Sequence, residues 1–350
     1  MTDYNFSLSN FDYKLPQSLI AQHPADPRDH SRLLVYNRED RSITDDVFYR
    51  LPEYLPEHSL LALNNSRVEK ARLLFDKKEV FVTRVIDSFT VEAMIRPGKA
   101  FKSGRTVTLV SPDITAEVVH IADDGQRTLR FNVPIDSPDL DSYRRTPFPP
   151  YIRPDENLSD RYQTIFARDD GSKAAPTAGL HFTERVFSEL EKKSITKTEL
   201  TLHVGLGTFA PVKSEQISDH KMHSEWYHIS TEAAGNLRAA SHITAVGTTS
   251  ARVLESAARN RQAESPVQDV RDTAPFRDFI ACEEDTDIFI TPGYRFCAVD
   301  ALITNFHLPK STLLMMISAF VGIDEMHRIY RHAITEKYRF YSFGDAMLLL

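Results

Sequence analysis

The chain has only two cysteines in 350 residues, Cys282 and Cys297, with 14 residues between them. That spacing matches neither a redox pair nor a zinc knuckle, so reduced, packed thiols are expected. No segment suits a membrane or a secretory route. The N-terminal MTDYNFSLSN has no cationic stretch followed by an apolar core, and the longest apolar run, Leu313 to Ile323, is too short to span a bilayer. A soluble, cytoplasmic protein is expected. No GxxxxGK phosphate loop, GxGxxG fingerprint or GxSxG elbow occurs, which weakens phosphoryl transfer, nicotinamide chemistry and serine-hydrolase chemistry as readings. Net positive charge is lacking as well. At −7, with a pI near 6.0, the chain is a poor candidate for coating nucleic acid indiscriminately, because phosphate neutralisation supplies most of that affinity.

What is present points to two units. A chain this long exceeds what one hydrophobic core normally supports, so two compact units, or one α/β unit with an insertion, are expected. Charge is unevenly spread. From Arg67 to Arg105 ten Lys or Arg stand against five acids, an excess of five, so the remainder of the chain carries −12. Such asymmetry suits an anionic partner docking on one region, although a solvated face of a small β unit has the same appearance.

From Phe11 to Asn65 the pattern is mixed α/β, with LLVYN (33–37) and SLLALNN (59–65) as strand candidates. Short alternating runs follow: EVFVTRVI (79–86), FTVEAMI (89–95), TVTLV (106–110), TAEVVHIA (115–122) and TLRFNV (128–133). Turn signals separate them, the pattern of a small antiparallel barrel or sandwich. The proline-rich TPFPPYIRP (146–154) reads as the linker leaving that insert. The expected limits are therefore 1–65 for the first part of a large α/β domain, 66–150 for an inserted small β-barrel domain and 151–350 for the second part. After the linker, strands and helices alternate, as in ITAVGTTSARVLESAARN (243–260). The polar stretch from Arg261 to Glu284 reads as a mobile loop or lid, and Met326, Ile329, Tyr330, Ala333 and Ile334 follow amphipathic helix spacing.

Three segments place a strand end, a Gly or Pro turn and a helix start in succession: AAPTAGLHF (174–182), with Thr183 as cap; AVGTTSAR, with a helix beginning near Ser250; and NFHLPKST, with a helix beginning near Thr312. Ligands in open α/β sheets collect at the carboxyl ends of strands, where helix N-termini offer amide donors. His181, His203 and His307 are expected to converge there, with Gly179, Gly205, Gly207 and Gly247 admitting close backbone approach. By the alternation of Leu200, Leu202 and Val204, His203 points away from the leucine side. A histidine beside apolar residues is more often a hydrogen-bonded core group than a catalyst. The glycines accommodate positive φ equally well, and Thr248, Thr249 and Ser250 equally well cap a helix. DHKMHSEWYH (219–228) offers a rival class: on a helix, His220 and His223 share a face and a metallohydrolase becomes conceivable, a weak signal without a companion motif.

Taken together, AAPTAGLHF, TLHVGLGTFAPV, HKMHSEWY, AVGTTSARVLESA, DIFITPGYRF, DALITNFHLPKSTLLMMISAF and YRFYSFGDAM resemble the S-adenosylmethionine:tRNA ribosyltransferase-isomerase family of queuosine biosynthesis. The N-terminal FDYKLPQSLIAQHPADPRDHSRLLVYN and LNNSRVEKARL extend the resemblance to nearly the whole chain. Departures cluster around the small β unit: Glu57 and His58 in place of a Gly-Asp turn, Glu69 and Lys70 in place of Ile-Pro, and Asp76, Lys77 and Lys78 in place of a glycine-rich turn; Thr291 also stands where Tyr is frequent.

The resemblance implies transfer and isomerisation of the ribosyl part of S-adenosylmethionine onto 7-aminomethyl-7-deazaguanine in the tRNA anticodon loop, giving epoxyqueuosine and releasing adenine and methionine. It also implies a monomer, no metal, and a large α/β domain interrupted by a small β-barrel. Forming a carbocycle from ribose carbons needs a carbanion, and the activated C–H is the 5′ methylene beside the sulfonium. A base must reach that proton and an acid must protonate departing adenine, tasks that suit histidine. The expected proton-handling set is His181, His203 and His307, with base and acid unassigned. Thr177, Gly179, Gly205, Gly207, Thr208, Thr249 and Ser250 are expected to hold the donor. Arg252 or Asn305 is expected to take its carboxylate, and His223 and Glu225 are second-rank candidates for the modified base. Arg67 to Arg105, or Arg331, Lys337 and Arg339, are the expected RNA surfaces.

Overall fold

The computed structural model describes residues 7–110, 112–205, 215–264 and 275–350. The chain divides into two compact units. One comprises Met1–Arg67, Pro150–Arg153 and Asp160–Leu350; the other comprises Val68–Pro149 and Pro154–Ser159.

The larger unit is built on a nine-stranded sheet, in the order Cys282–Thr286, Glu225–Ile229, Thr196–Leu202, Leu60–Asn64, Ile243–Val246, Ala301–Asn305, Ala346–Leu349, Arg32–Tyr36 and Ile43–Val47. The four strands from Thr196–Leu202 to Ala301–Asn305 run parallel. Parallel strands need cover on both faces, and their composition provides for it. In Leu60–Asn64, Leu60 and Ala62 join one apolar cluster while Leu61 and Leu63 join another. Five α-helices lie in this unit among the described residues: α1 Glu184–Lys192, α2 Thr231–Ala239, α3 Gly247–Glu264, α4 Thr312–Val321 and α5 Ile323–Thr335. Helices α2 to α5 cover the first face, through residues such as Leu237, Leu254, Leu314 and Ile329. Helix α1 covers the second, through Val186 and Leu190. Thr183 caps α1 by accepting from the Val186 N–H, and Ser311 caps α4 by accepting from Leu314 N–H.

Helix α3 begins at Gly247, three residues earlier than the expected start near Ser250. Gly247 has φ +88°, a conformation that lets the strand turn directly into the helix. Of the expected lid, Arg261–Glu264 continue α3 and Cys282–Glu284 belong to a strand; residues 265–274 lie outside the described residues.

The smaller unit is an antiparallel seven-stranded sheet that curls around its own core. Alternate residues point inward, Val80 and Val82, Val91 and Ala93, Ile114, Ala116 and Val118 among them. Its terminal strands, Arg144–Arg145 and Thr106–Val110, share no ladder among the described residues, so the expected small antiparallel barrel takes the form of a curled half-barrel. The mixed α/β class, a large α/β unit with a small antiparallel β unit, is as expected.

Both cysteines are free thiols. Cys297 donates through its Sγ to Glu255, a fully buried carboxylate that also accepts from the N–H groups of Cys297, Ala298 and Val299 and from the Tyr294 hydroxyl. Burial pushes the Cys297 thiol up to about 12, assisted by that carboxylate, so it stays protonated.

Candidate active site

A cleft lies in the larger unit, lined in part by residues that follow the carboxyl ends of the parallel strands. Val204 follows one strand; Gly247, Thr248 and Thr249 follow the next; Asn305, Phe306 and His307 close the third. The lining also includes Ala174 to Ala178 from the AAPTAGLHF turn, together with Tyr151, Tyr341 and Ser342. None of the described lining residues carries a charge; hydroxyls, one amide and one imidazole are its polar groups.

His307 lines the cleft. Its main chain is fixed by two tyrosines: Tyr13 donates its hydroxyl to the His307 carbonyl, and Tyr330 accepts from the His307 N–H at 3.0 Å. Thr304 Oγ1 lies 2.7 Å from its Nε2. Burial pushes the imidazole down to about 3, so it is neutral at pH 7. His181 lies behind the wall. Its Nδ1 is 2.7 Å from Ser31 Oγ, its Nε2 is 3.0 Å from Asn305 Nδ2, and Phe48 flanks the ring at 5.1 Å. Burial again dominates, lowering this histidine to about 4 against the pull of Asp345 and with the help of Arg339 and Arg28. Asn305 thus joins the two histidine segments: it lines the cleft and holds His181 in place.

The strand ends are braced by Asn64, whose Nδ2 donates to the Leu202 carbonyl at 3.0 Å and to Thr249 Oγ1 at 3.4 Å. Its Oδ1 accepts from the N–H groups of Ser66 and Leu202. One buried amide therefore ties two strand ends and a cleft hydroxyl together.

A family model described as "Queuosine biosynthesis protein" matches residues 8–349. The chain belongs to this family. It is 44% identical to an S-adenosylmethionine:tRNA ribosyltransferase-isomerase of Desulfitobacterium hafniense, over 98% of this chain and 99% of that one. It is 48% identical to a protein of the same name from Cupriavidus metallidurans, over 98% of each. Among solved structures it resembles the S-adenosylmethionine tRNA ribosyltransferase of Thermotoga maritima, with a TM-score of 0.53, 35% identity, and coverage of 97% of this chain and 100% of that one.

In this queuosine-family chain the three histidines do not meet in one cavity. His203 packs on Trp226 with ring centroids 4.9 Å apart, Trp226 packs in turn on His228, and neither His203 nor His181 lines the cleft. A Cβ on Gly171, where φ is +139°, would fall 2.8 Å from the His203 ring, so glycine is required for that strand to pass over it. Of the expected donor-holding residues, Thr177, Thr249 and Gly247 line the cleft. Gly179 is there for packing, since a Cβ would meet Phe166 and Thr164 below 3 Å. Ser250 turns its Oγ to the Val246 carbonyl at 2.9 Å. Gly205 donates its N–H to Glu225 Oε1 at 2.8 Å. Gly207 and Thr208 lie outside the described residues.

Two expected carboxylate binders are otherwise engaged. Arg252 forms a buried ion pair with Glu225, which also removes Glu225 as a free contact for the modified base. Asn305 gives its amide nitrogen to His181. The HxxH reading fails on local structure: a single 3-10 turn ends at Asp219, His220 is extended, and no helix carries His220 and His223. Burial and the neighbouring His223 lower the His220 pKa. Among the described residues no cluster of three or more His, Cys, Asp or Glu could hold a metal.

The expected RNA surfaces are thinned by internal pairing. Arg72 meets Glu79 at 3.0 Å and Arg84 meets Glu92 at 2.6 Å, while Arg339 is bound to the buried Asp345 at 2.8 Å. Lys77, Lys99, Lys102 and Arg105 have no acidic partner within 4 Å among the described residues. The sequence alone attached no role to Ser31, Asn64 or Asp345, and to Thr248 only helix capping, although each lies in one of the family's motifs.

Proposed function

We propose that this chain moves and isomerises the ribosyl part of S-adenosylmethionine onto 7-aminomethyl-7-deazaguanine in a tRNA anticodon loop, giving epoxyqueuosine-tRNA with release of adenine and methionine. Membership of the family along nearly the whole chain carries the proposal. The cleft supports it: apolar and aromatic walls suit adenine, and the threonine and serine hydroxyls suit ribose. The donor's carboxylate has a natural position at the start of α3, where the first helical N–H groups lack acceptors within the helix.

In this reading His307 is the proton-handling group nearest the donor, because it alone of the three histidines lines the cleft. Being neutral, it enters the reaction able to accept a proton. His181 acts through Asn305 as a positioning residue, and His203 stands in the aromatic stack beside the cleft residue Val204. The 5′ methylene of the donor loses a proton, adenine leaves protonated, the aminomethyl nitrogen of the modified base forms the new C–N bond, and the carbanionic carbon closes the ring as methionine leaves with the C–S electron pair. Each well-placed proton transfer contributes roughly 10²- to 10⁴-fold. Lys77, Lys99, Lys102 and Arg105 meet RNA phosphates. The chain is taken to act in the cytoplasm as a monomer, and no step of the reaction calls for a metal.

The test is to incubate the protein with S-adenosylmethionine and tRNA carrying 7-aminomethyl-7-deazaguanine. Adenine and methionine should appear in step with modified tRNA, and a donor deuterated at the 5′ position should lose label. Turnover without adenine release, or with full retention of label, overturns the reading.

A further inference from the structure

The Asn305 side chain leaves one hydrogen-bonding atom unused. The Asp345 carbonyl can only accept, so the Asn305 atom 3.4 Å from it is the amide nitrogen, and that same nitrogen lies 3.0 Å from His181 Nε2. His181 then carries its proton on Nδ1 and donates to Ser31 Oγ, which fits a neutral imidazole. This chain of partners fixes the amide orientation and leaves Asn305 Oδ1 as a buried acceptor with no partner among the described residues, in a residue 2% exposed that lines the cleft. A buried acceptor is unfavourable until a donor reaches it.

We propose that Asn305 selects adenine: Oδ1 accepts a hydrogen bond from the 6-amino group of the adenosyl donor. The inference rests on the donor assignment made above. Three kinds of donor group exist on S-adenosylmethionine. The α-ammonium calls for an anionic partner, and no described lining residue is acidic. Ribose hydroxyls both donate and accept, and pair naturally with the threonine and serine hydroxyls of the wall. The 6-amino group is neutral and lies in the plane of an aromatic ring, which matches an amide oxygen beside Phe306 and near Tyr341. A guanine in the same place would present a carbonyl to Oδ1, acceptor against acceptor, so the site rejects guanosyl ligands. Asn305 is thereby a specificity-determining residue, and Ser31 and His181 hold its orientation.

The experiment compares binding of S-adenosylmethionine with that of its 6-deamino analogue, which carries hydrogen at purine C6, by calorimetry on the wild-type protein and on Asn305→Leu. The wild type should bind the analogue tenfold or more weakly, because loss of the amino group leaves Oδ1 unpaired. Asn305→Leu should bind both ligands alike. Equal binding by the wild type overturns the inference without any variant, as does discrimination that survives in Asn305→Leu. Adenine release by the wild type with modified tRNA is measured alongside, so that failure of the donor assignment shows separately from failure of the Asn305 role.

Discussion

His181 makes the larger unit sensitive to acid by an amount that can be worked out. Unfolded, its imidazole titrates near 6.5; in the fold, burial lowers it to about 4. Between those values the unfolded chain binds a proton that the native chain does not, so stability falls as pH drops through this window and levels off below it. At 1.36 kcal/mol per pKa unit the loss from this residue is about 2 kcal/mol by pH 5 and about 3 kcal/mol by pH 4. His181→Gln keeps a polar group of similar reach beside Ser31 and Asn305 but does not titrate. The difference in unfolding free energy between wild type and variant should therefore shrink on acidification by those amounts, whatever packing cost the substitution carries at pH 7. His307 also titrates, but in both proteins, so it cancels from the difference. The assay is urea unfolding at pH 7, 6, 5 and 4, followed by tryptophan fluorescence. The chain's single tryptophan, Trp226, lies in the same unit as His181, so the signal reports the relevant transition. A difference that stays constant from pH 7 to pH 4 refutes the argument that burial keeps this imidazole neutral.

Arg252→Met should destabilise the larger unit by about 3–5 kcal/mol, because it strands the Glu225 carboxylate in the interior; adding Glu225→Met should restore a large part of the loss, and a double variant as unstable as the summed single variants would contradict the pairing. In binding to modified tRNA, Lys99→Ala and Lys102→Ala should each reduce the slope of log affinity against log salt by about 1. Unchanged slopes would remove these lysines from the RNA surface.

Much of the framework was legible because its signals are local. The strand TVTLV (106–110) is observed with the limits expected, and LLVYN and SLLALNN are displaced by a residue at most at their starts. Alternation over a few residues marks which side chains face a core, and each helix near the site begins with a Ser, Thr or Gly whose role is visible in the same few residues. The same locality explains one failure. His220 and His223 have helical spacing in the sequence, but His220 is extended and the chain enters the strand Glu225–Ile229 without forming a helix. Spacing shows a shared face only if the helix exists.

The chemical condition of each site residue depended on partners far away in sequence. Arg252 presents the right group for a carboxylate, yet its partner Glu225 lies 27 residues away; Asn305 presents an amide, yet its hydrogen bond to His181 spans 124 residues. Nothing within either motif reveals these pairings. The distinction matters for function, because a hydrogen-bonding group already satisfied by the fold is a scaffold, and one left unsatisfied is an instrument of recognition. Asn305 is both at once: its nitrogen is committed to His181 and Asp345, and its buried oxygen has no partner among the described residues, in a residue that lines the cleft. The sequence motif TNFH therefore located the residue, while which end of its amide is free to meet a ligand depends on His181 and Asp345, which lie outside that motif.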